Sequence, residues 1–192
     1  MISKIKLSTM SILFLSVGVF AKEHCTFNTN KENISIKWTA YKTPAKAPAE
    51  GTFNDIKYKG KMTGDSILRV TKNITATLDS MTVNSNKPER DANISNSFFK
   101  LMKKKNIVVK VLNATEKNIE VEINMNGKKQ KLIMESHIEN DILTAEGIID
   151  VLNFNLGPAL QSLSEACKAL HENKTWPDVK LNLTAKFEKK CK

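Results

Sequence analysis

Residues 119–125 read IEVEINM: Ile119, Val121, Ile123 and Met125 alternate strictly with polar partners. Asn126-Gly127 follows, and then KLIMESHIE at 131–139 returns with similar patterning. A period of two places alternate side chains on opposite faces of a strand. An Asn-Gly pair supplies the two positive φ angles of a tight hairpin turn. The chain therefore contains an antiparallel hairpin with one apolar face, and that face must be buried against something.

The same pattern recurs along the chain. Residues 34–42 (ISIKWTAYK), 51–60 (GTFNDIKYKG), 72–83 (KNITATLDSMTV), 107–115 (IVVKVLNAT), 141–154 (DILTAEGIIDVLNF) and 178–190 (DVKLNLTAKFEKK) add six strand signals to the hairpin's two. Eight alternating strands without crossover helices predict an all-β meander: an eight-stranded antiparallel up-and-down barrel whose closure removes the sheet edges. A barrel of this size holds its own side chains or one elongated ligand. Residues 43–51 (TPAKAPAEG) are expected as a Pro/Ala loop between the first two strands.

Two segments break the meander. In 86–105, Asn86 and Glu89 have the spacing of a capping box, and Pro88 suits a first helical turn. Ile94, Phe98, Leu101 and Met102 follow at helical intervals. In 158–172, Pro158 opens a run with Leu160, Leu163, Cys167 and Leu170 on one face. Both are expected as short amphipathic helices covering the barrel.

The N-terminus has the signature of an export signal. Lys4 and Lys6 precede an apolar run to Phe20, and Val19-Phe20-Ala21 offers a cleavage site. We assign 1–21 as a signal peptide and 22–192 as one domain in the periplasm, or secreted beyond it. Lys-Glu-His before Cys25 is too charged and bulky for a lipoprotein site. The full chain carries a formal +10, two charges of which, Lys4 and Lys6, belong to the signal. The lysines are scattered, with no interleaved aromatics of the kind that stack bases, so the surplus reads as a solubilising or membrane-facing surface and not as a nucleic-acid site.

Candidate chemistry is sparse. His24, His137 and His171 lack zinc-ligand spacing. His171 stands at a predicted helix end, where a cation is favoured. There is no GxSxG elbow, glycine-rich phosphate loop or paired-carboxylate constellation, so neither an enzyme nor a cofactor is indicated. Asp91 and Asn93 fit a bacterial N-glycan acceptor pattern, D-x-N-x-S, which occurs cheaply in an Asn-rich chain.

The segment RDANISNSFF (90–99) admits two readings. Structurally, Asp91 caps a turn while Arg90 pairs with a carboxylate or carbonyl; functionally, Arg90 meets a ligand head group at a cavity mouth. Phe98 and Phe99, adjacent on a helix, are expected to point in different directions.

These residues resemble the YceI family of lipocalin-like lipid-binding proteins. The resemblance rests on WTAYKTPAKAPAEGTF, on Arg90-Asp91 followed by Phe98-Phe99, on IDVLNFNLG and on TWPDVKLNLTAKFE. Asn93 departs from a histidine frequent in the family, and segment 158–175 is longer than usual. The resemblance implies an eight-stranded barrel that holds a long apolar amphiphile, such as a polyisoprenoid or a fatty acid or amide, without catalysis. Homodimerisation is common in such carriers. Ligand-binding candidates are Trp38, Phe53, Leu78, Arg90, Phe98, Phe99, Met102, Val121, Ile123, Phe154, Leu160, Leu163 and Trp176. The competing reading is an interaction module with a filled barrel that binds a membrane or protein partner. In a closed barrel the start of the first strand lies beside the end of the last, which predicts a Cys25–Cys191 disulfide with Cys167 reduced.

Overall fold

The computed structural model describes residues 23–172 and 174–192; the assigned signal segment lies outside them. In chain order the strands begin with β1 (Cys25–Asn28), β2 (Ile34–Lys42), β3 (Ala47–Phe53), β4 (Ile56–Lys59) and β5 (Thr63–Gly64). Helix α1 (Ile67–Lys72), β6 (Thr75–Asp79), β7 (Val83–Asn84) and helix α2 (Pro88–Ser97) follow. Next come β8 (Asn106–Ala114), β9 (Asn118–Met125), β10 (Lys128–Glu139) and β11 (Ile142–Asp150). Helices α3 (Gly157–Ala166) and α4 (Lys168–His171) precede β12 (Thr175–Lys186) and β13 (Glu188–Cys191).

Ten strands form one strongly curled antiparallel sheet in the order β4-β6-β8-β9-β10-β11-β12-β2-β3-β7. The Asn-Gly hairpin forms as read: Met125 pairs with Lys128, and Asn126 and Gly127 have φ of 54° and 79°. Ile119, Val121, Ile123 and Met125 are all buried on the concave face.

The expectation of eight continuous strands is corrected to thirteen strands among the described residues, ten of them in the curled sheet. The physical reason is a matched pair of breaks. The predicted strand 51–60 splits at Asn54-Asp55, and its neighbour 72–83 splits at Ser80–Thr82. The breaks face one another and satisfy each other's backbone. Asn54 N donates to Thr82 O at 2.9 Å, Asp55 N to Thr82 Oγ1 at 3.0 Å, and Asp79 N to Asp55 O at 3.0 Å. Two paired strands thus bend together with these backbone groups satisfied, while the hydroxyl of fully buried Ser80, inside the second break, has no partner. The ends of the sheet meet through these same segments: 56–59 pairs with 75–78, while Thr52 and Phe53 pair with Asn84 and Val83. The expected 43–51 loop is shorter than read, because Ala47 already opens β3. The seventh strand ends at Asp150, whose carboxylate accepts Leu152 N at 2.8 Å and starts a 3-10 turn over Val151–Phe154.

The helical segments are shorter than expected. The capping box does not form: Asn86 is left-handed (φ 58°), and the N-cap, Lys87, makes no side-chain cap bond. Asp91 instead reaches back to accept from Ser85 N at 2.8 Å and Ser85 Oγ at 2.6 Å. That bears out the structural reading for Asp91 and pins the approach to α2, whereas among the described residues Arg90 pairs with no carboxylate or carbonyl, which corrects the other half of that reading. The second helix breaks at Cys167, which leaves Leu170 66% exposed and off the buried face assigned to it.

Cys25 and Cys191 form the expected disulfide and Cys167 is a buried free thiol. The bridge lies in a separate small sheet, β13-β1-β5, where Cys25 and Cys191 are direct cross-strand partners.

Candidate functional site

The concave face of the sheet encloses two apolar chambers and opens into a third, more polar one. The inner two hold about 150 and 80 Å3, and the third about 260 Å3. The inner chambers share the wall residues Ile36, Val109, Ile123 and Leu181, so they are neighbours along the concave face, and we read them as successive sections of one tunnel. The larger shares Trp38, Ala40, Ile94, Leu163 and Thr175 with the polar chamber, which we take as the mouth because exposed Lys87 and Glu89 line it. At the far end, Tyr58, Thr71 of α1 and Phe187 line the smaller chamber.

Trp38 is placed by Gly51, its direct cross-strand partner. A Cβ on Gly51 would stand 2.4 Å from Trp38 Cζ2 and 2.6 Å from Asn84 O, so only glycine lets the indole lie across β3. The indole N–H donates to Thr52 O at 3.3 Å, and Thr52 Oγ1 donates to Ile36 O at 2.8 Å. Phe53 then projects into the tunnel against Phe99, with ring centroids 5.7 Å apart. Gly-Thr-Phe thus acts as a unit: clearance, latch and wall.

Phe98 and Phe99 both face the tunnel, which corrects the expectation that they diverge. The helix stops at Ser97 and a 3-10 turn begins at Phe99, so helical geometry does not separate them. Their rings meet edge to face at 5.3 Å, a favoured arrangement. Lys105 Nζ secures the turn by donating to Phe99 O at 3.0 Å, Lys100 O at 2.6 Å and Met102 O at 2.6 Å.

Of the candidates, Trp38, Phe53, Leu78, Phe98, Phe99, Ile123, Leu160, Leu163 and Trp176 line the larger chamber. Val121 lines the inner one and Arg90 the mouth. Met102 and Phe154 are buried but line none of the three chambers. Asn126 accounts for their neighbourhood: its Oδ1 accepts Lys103 N at 2.8 Å, and its Nδ2 donates to Phe154 O at 3.0 Å. The hairpin turn thereby ties the segment after α2 to the turn before α3. The sequence reading missed Val109, Ile149, Val179 and Leu181, which strand parity alone would have supplied.

Trp176, in the wall of the larger inner chamber, donates its indole N–H to Thr43 O at 2.8 Å, with the ammonium groups of Lys46 and Lys174 4.5 and 4.3 Å from its ring centroid. Asn93 lies on α2, in the same chamber wall as Cys167, which caps the end of α3, and not on an exposed loop as a glycan acceptor would be. Burial pushes the Cys167 thiol up, against smaller opposing effects of Lys42 and Asn93. His171 Nδ1 lies 2.9 Å from Thr175 Oγ1. Burial, then the charges of Lys42 and Arg90, hold the His171 imidazole below its ordinary value. This corrects the expectation of a helix-end cation: desolvation and two neighbouring positive charges outweigh the dipole.

A YceI-like domain model matches residues 26–187. The chain belongs to the YceI-like family. Solved structures share the YceI-like fold at low identity. BcnA of Burkholderia cenocepacia is 13% identical, with a TM-score of 0.54 over 82% of this chain and 99% of that one. A polyisoprenoid binding domain from Saccharophagus degradans, implicated in plant cell wall breakdown, is 10% identical, with a TM-score of 0.55 over 87% and 99%. The Campylobacter jejuni YCEI protein is 15% identical, with a TM-score of 0.51 over 76% and 86%. No curated protein matches the chain in sequence.

Proposed function

We propose that this YceI-like protein is a non-enzymatic carrier that holds one long-chain amphiphile, of the polyisoprenoid or fatty acid and amide class, in its tunnel. The observation that carries the reading is the adjacency of two carbon-walled chambers, which share Ile36, Val109, Ile123 and Leu181. Membership of the family and the polyisoprenoid-binding neighbour support it. Binding is by partition: each methylene removed from water contributes about 0.8 kcal/mol, so the chain needs few polar contacts. Open chambers speak against the alternative of an interaction module with a filled interior. The signal-like N-terminus supports work in the periplasm, with loading and unloading at a membrane surface. Self-association as a homodimer belongs to the same reading.

Native mass spectrometry of the exported protein, followed by organic extraction, tests the proposal. The expected result is one long-chain amphiphile per chain. Replacing Phe98 and Phe99 with Ala is expected to lower its retention while the fold survives. A protein that emerges empty and takes up neither isoprenoids nor fatty amides refutes the carrier reading.

A further inference from the structure

The mouth has a charge that the tunnel does not need. Its walls include Lys42, Lys87 and Arg90 against a single carboxylate, Glu89. Lys87 and Glu89 are exposed on the rim, whereas Lys42 and Arg90 are half-buried further in. Among the described residues, neither Lys42 nor Arg90 has an acidic partner at ion-pair distance. Two acids on adjoining segments are committed elsewhere: Asp91 accepts two hydrogen bonds from Ser85, and Asp178 pairs with Lys46 at 2.9 Å, so exposed Glu89 is the one carboxylate left against the wall's three cations. His171, in the same wall, bears the field of both cations. Half-buried positive charges without a protein partner are available to an anion, which they meet through charge-assisted hydrogen bonds. Tyr41, Asn93 and Thr175, in the same wall, offer hydrogen bonds to a small polar group.

We infer that the mouth is an anion site for the head of the bound amphiphile, so that the carrier selects a carboxylate or phosphate head over a neutral one of equal chain length. Lys42 and Arg90 supply the charge, while the tail lies in the chambers behind Trp38 and Leu163. The inference rests on the tunnel reading, and the experiment separates the two.

Delipidated mature protein is titrated with oleate and with oleamide at neutral pH, with the fluorescence of Trp38 and Trp176 as readout. The two probes share a tail and differ in head charge. Oleate is expected to bind roughly tenfold or more tighter, the worth of a hydrogen bond to a charged group. In the double variant Lys42→Gln/Arg90→Gln oleate affinity is expected to fall to that of oleamide, so that the preference vanishes. Circular dichroism reports that the variant is folded. Equal affinities in the wild type, or a variant that weakens both probes alike, overturn the anion site and leave the carrier intact. Binding of neither probe overturns both. Inorganic phosphate is titrated alone as a third arm. If it binds as tightly as oleate, the mouth is a free-anion site and the amphiphile assignment fails.

Discussion

Val109→Phe places a phenyl ring where the two inner chambers meet. Val109 lines both and is not fully buried by protein, so the added atoms enter open space and overpacking is small. The smaller chamber, of about 80 Å3, lies beyond the ring. A dry apolar cavity of ~150 Å3 accommodates benzene, which scales to about three carbons in the chamber cut off. At about 0.8 kcal/mol per methylene, the block is expected to cost a long chain about 2.4 kcal/mol, or about 50-fold in Kd. The diagnostic is a length series of saturated fatty acids, not one affinity. In the wild type each added methylene is expected to tighten binding about fourfold until the tunnel is filled. In the variant the rise stops about three carbons earlier, and the shortest chains bind as before. Calorimetric Kd values across the series, with circular dichroism to confirm the fold, decide it. Rises that stop at the same length in both proteins would show that the chambers are not successive sections of one tunnel.

Gly51→Ala forces a methyl group into the Trp38 indole and is expected to destabilise by about 1–3 kcal/mol, read as a lowered thermal midpoint; an unchanged midpoint contradicts the latch described for Gly-Thr-Phe. Cys25 and Cys191 lie 166 residues apart, so Cys25→Ser/Cys191→Ser is expected to lose about 2–5 kcal/mol in denaturant titration, with the curled sheet retained. His171 is held neutral by burial and by Lys42 and Arg90, so the unfolded chain binds its proton at higher pH than the folded one does. Stability is therefore expected to fall as pH drops from about 6.5 through the lower folded value, and His171→Gln removes that part of the pH dependence in thermal melts. A variant with an unaltered pH profile rules out this source.

The hairpin at Asn126-Gly127, the apolar parity of β9 and the Arg-Asp to Phe-Phe segment were legible because each is local: a turn dipeptide, a period of two, a short motif. The breaks at Asn54-Asp55 and Ser80–Thr82 were not. Each half reads as a good strand alone, and only the hydrogen bonds of Thr82 to Asn54 and Asp55, across 27 residues or more, make bending cheap. Met102 and Phe154 were assigned to the tunnel by their hydrophobicity, yet side-chain bonds of Asn126 organise their surroundings, and no periodicity reveals those. The disulfide could be anticipated from the proximity of barrel ends. Its seat in a separate three-stranded sheet could not, since β1, β5 and β13 are too short to carry a pattern. Gly51 was visible as part of Gly-Thr-Phe, but its reason, clearance for Trp38, requires the cross-strand register.

Helix α1 and Phe187 stand across the inner end of the tunnel, and that arrangement sets a direction of travel. In the proposed carrier, a passenger arrives tail first and leaves head first through the mouth. An acceptor at the mouth meets the head while the tail is still sheltered, and withdrawal proceeds carbon by carbon. Each step returns a methylene to water or passes it to the acceptor. Into water alone, the residence time grows geometrically with tail length. Against a membrane or a partner whose own apolar surface abuts the mouth, the penalty is cancelled at every step. The same vessel is then nearly leak-proof in transit and fast to empty on contact.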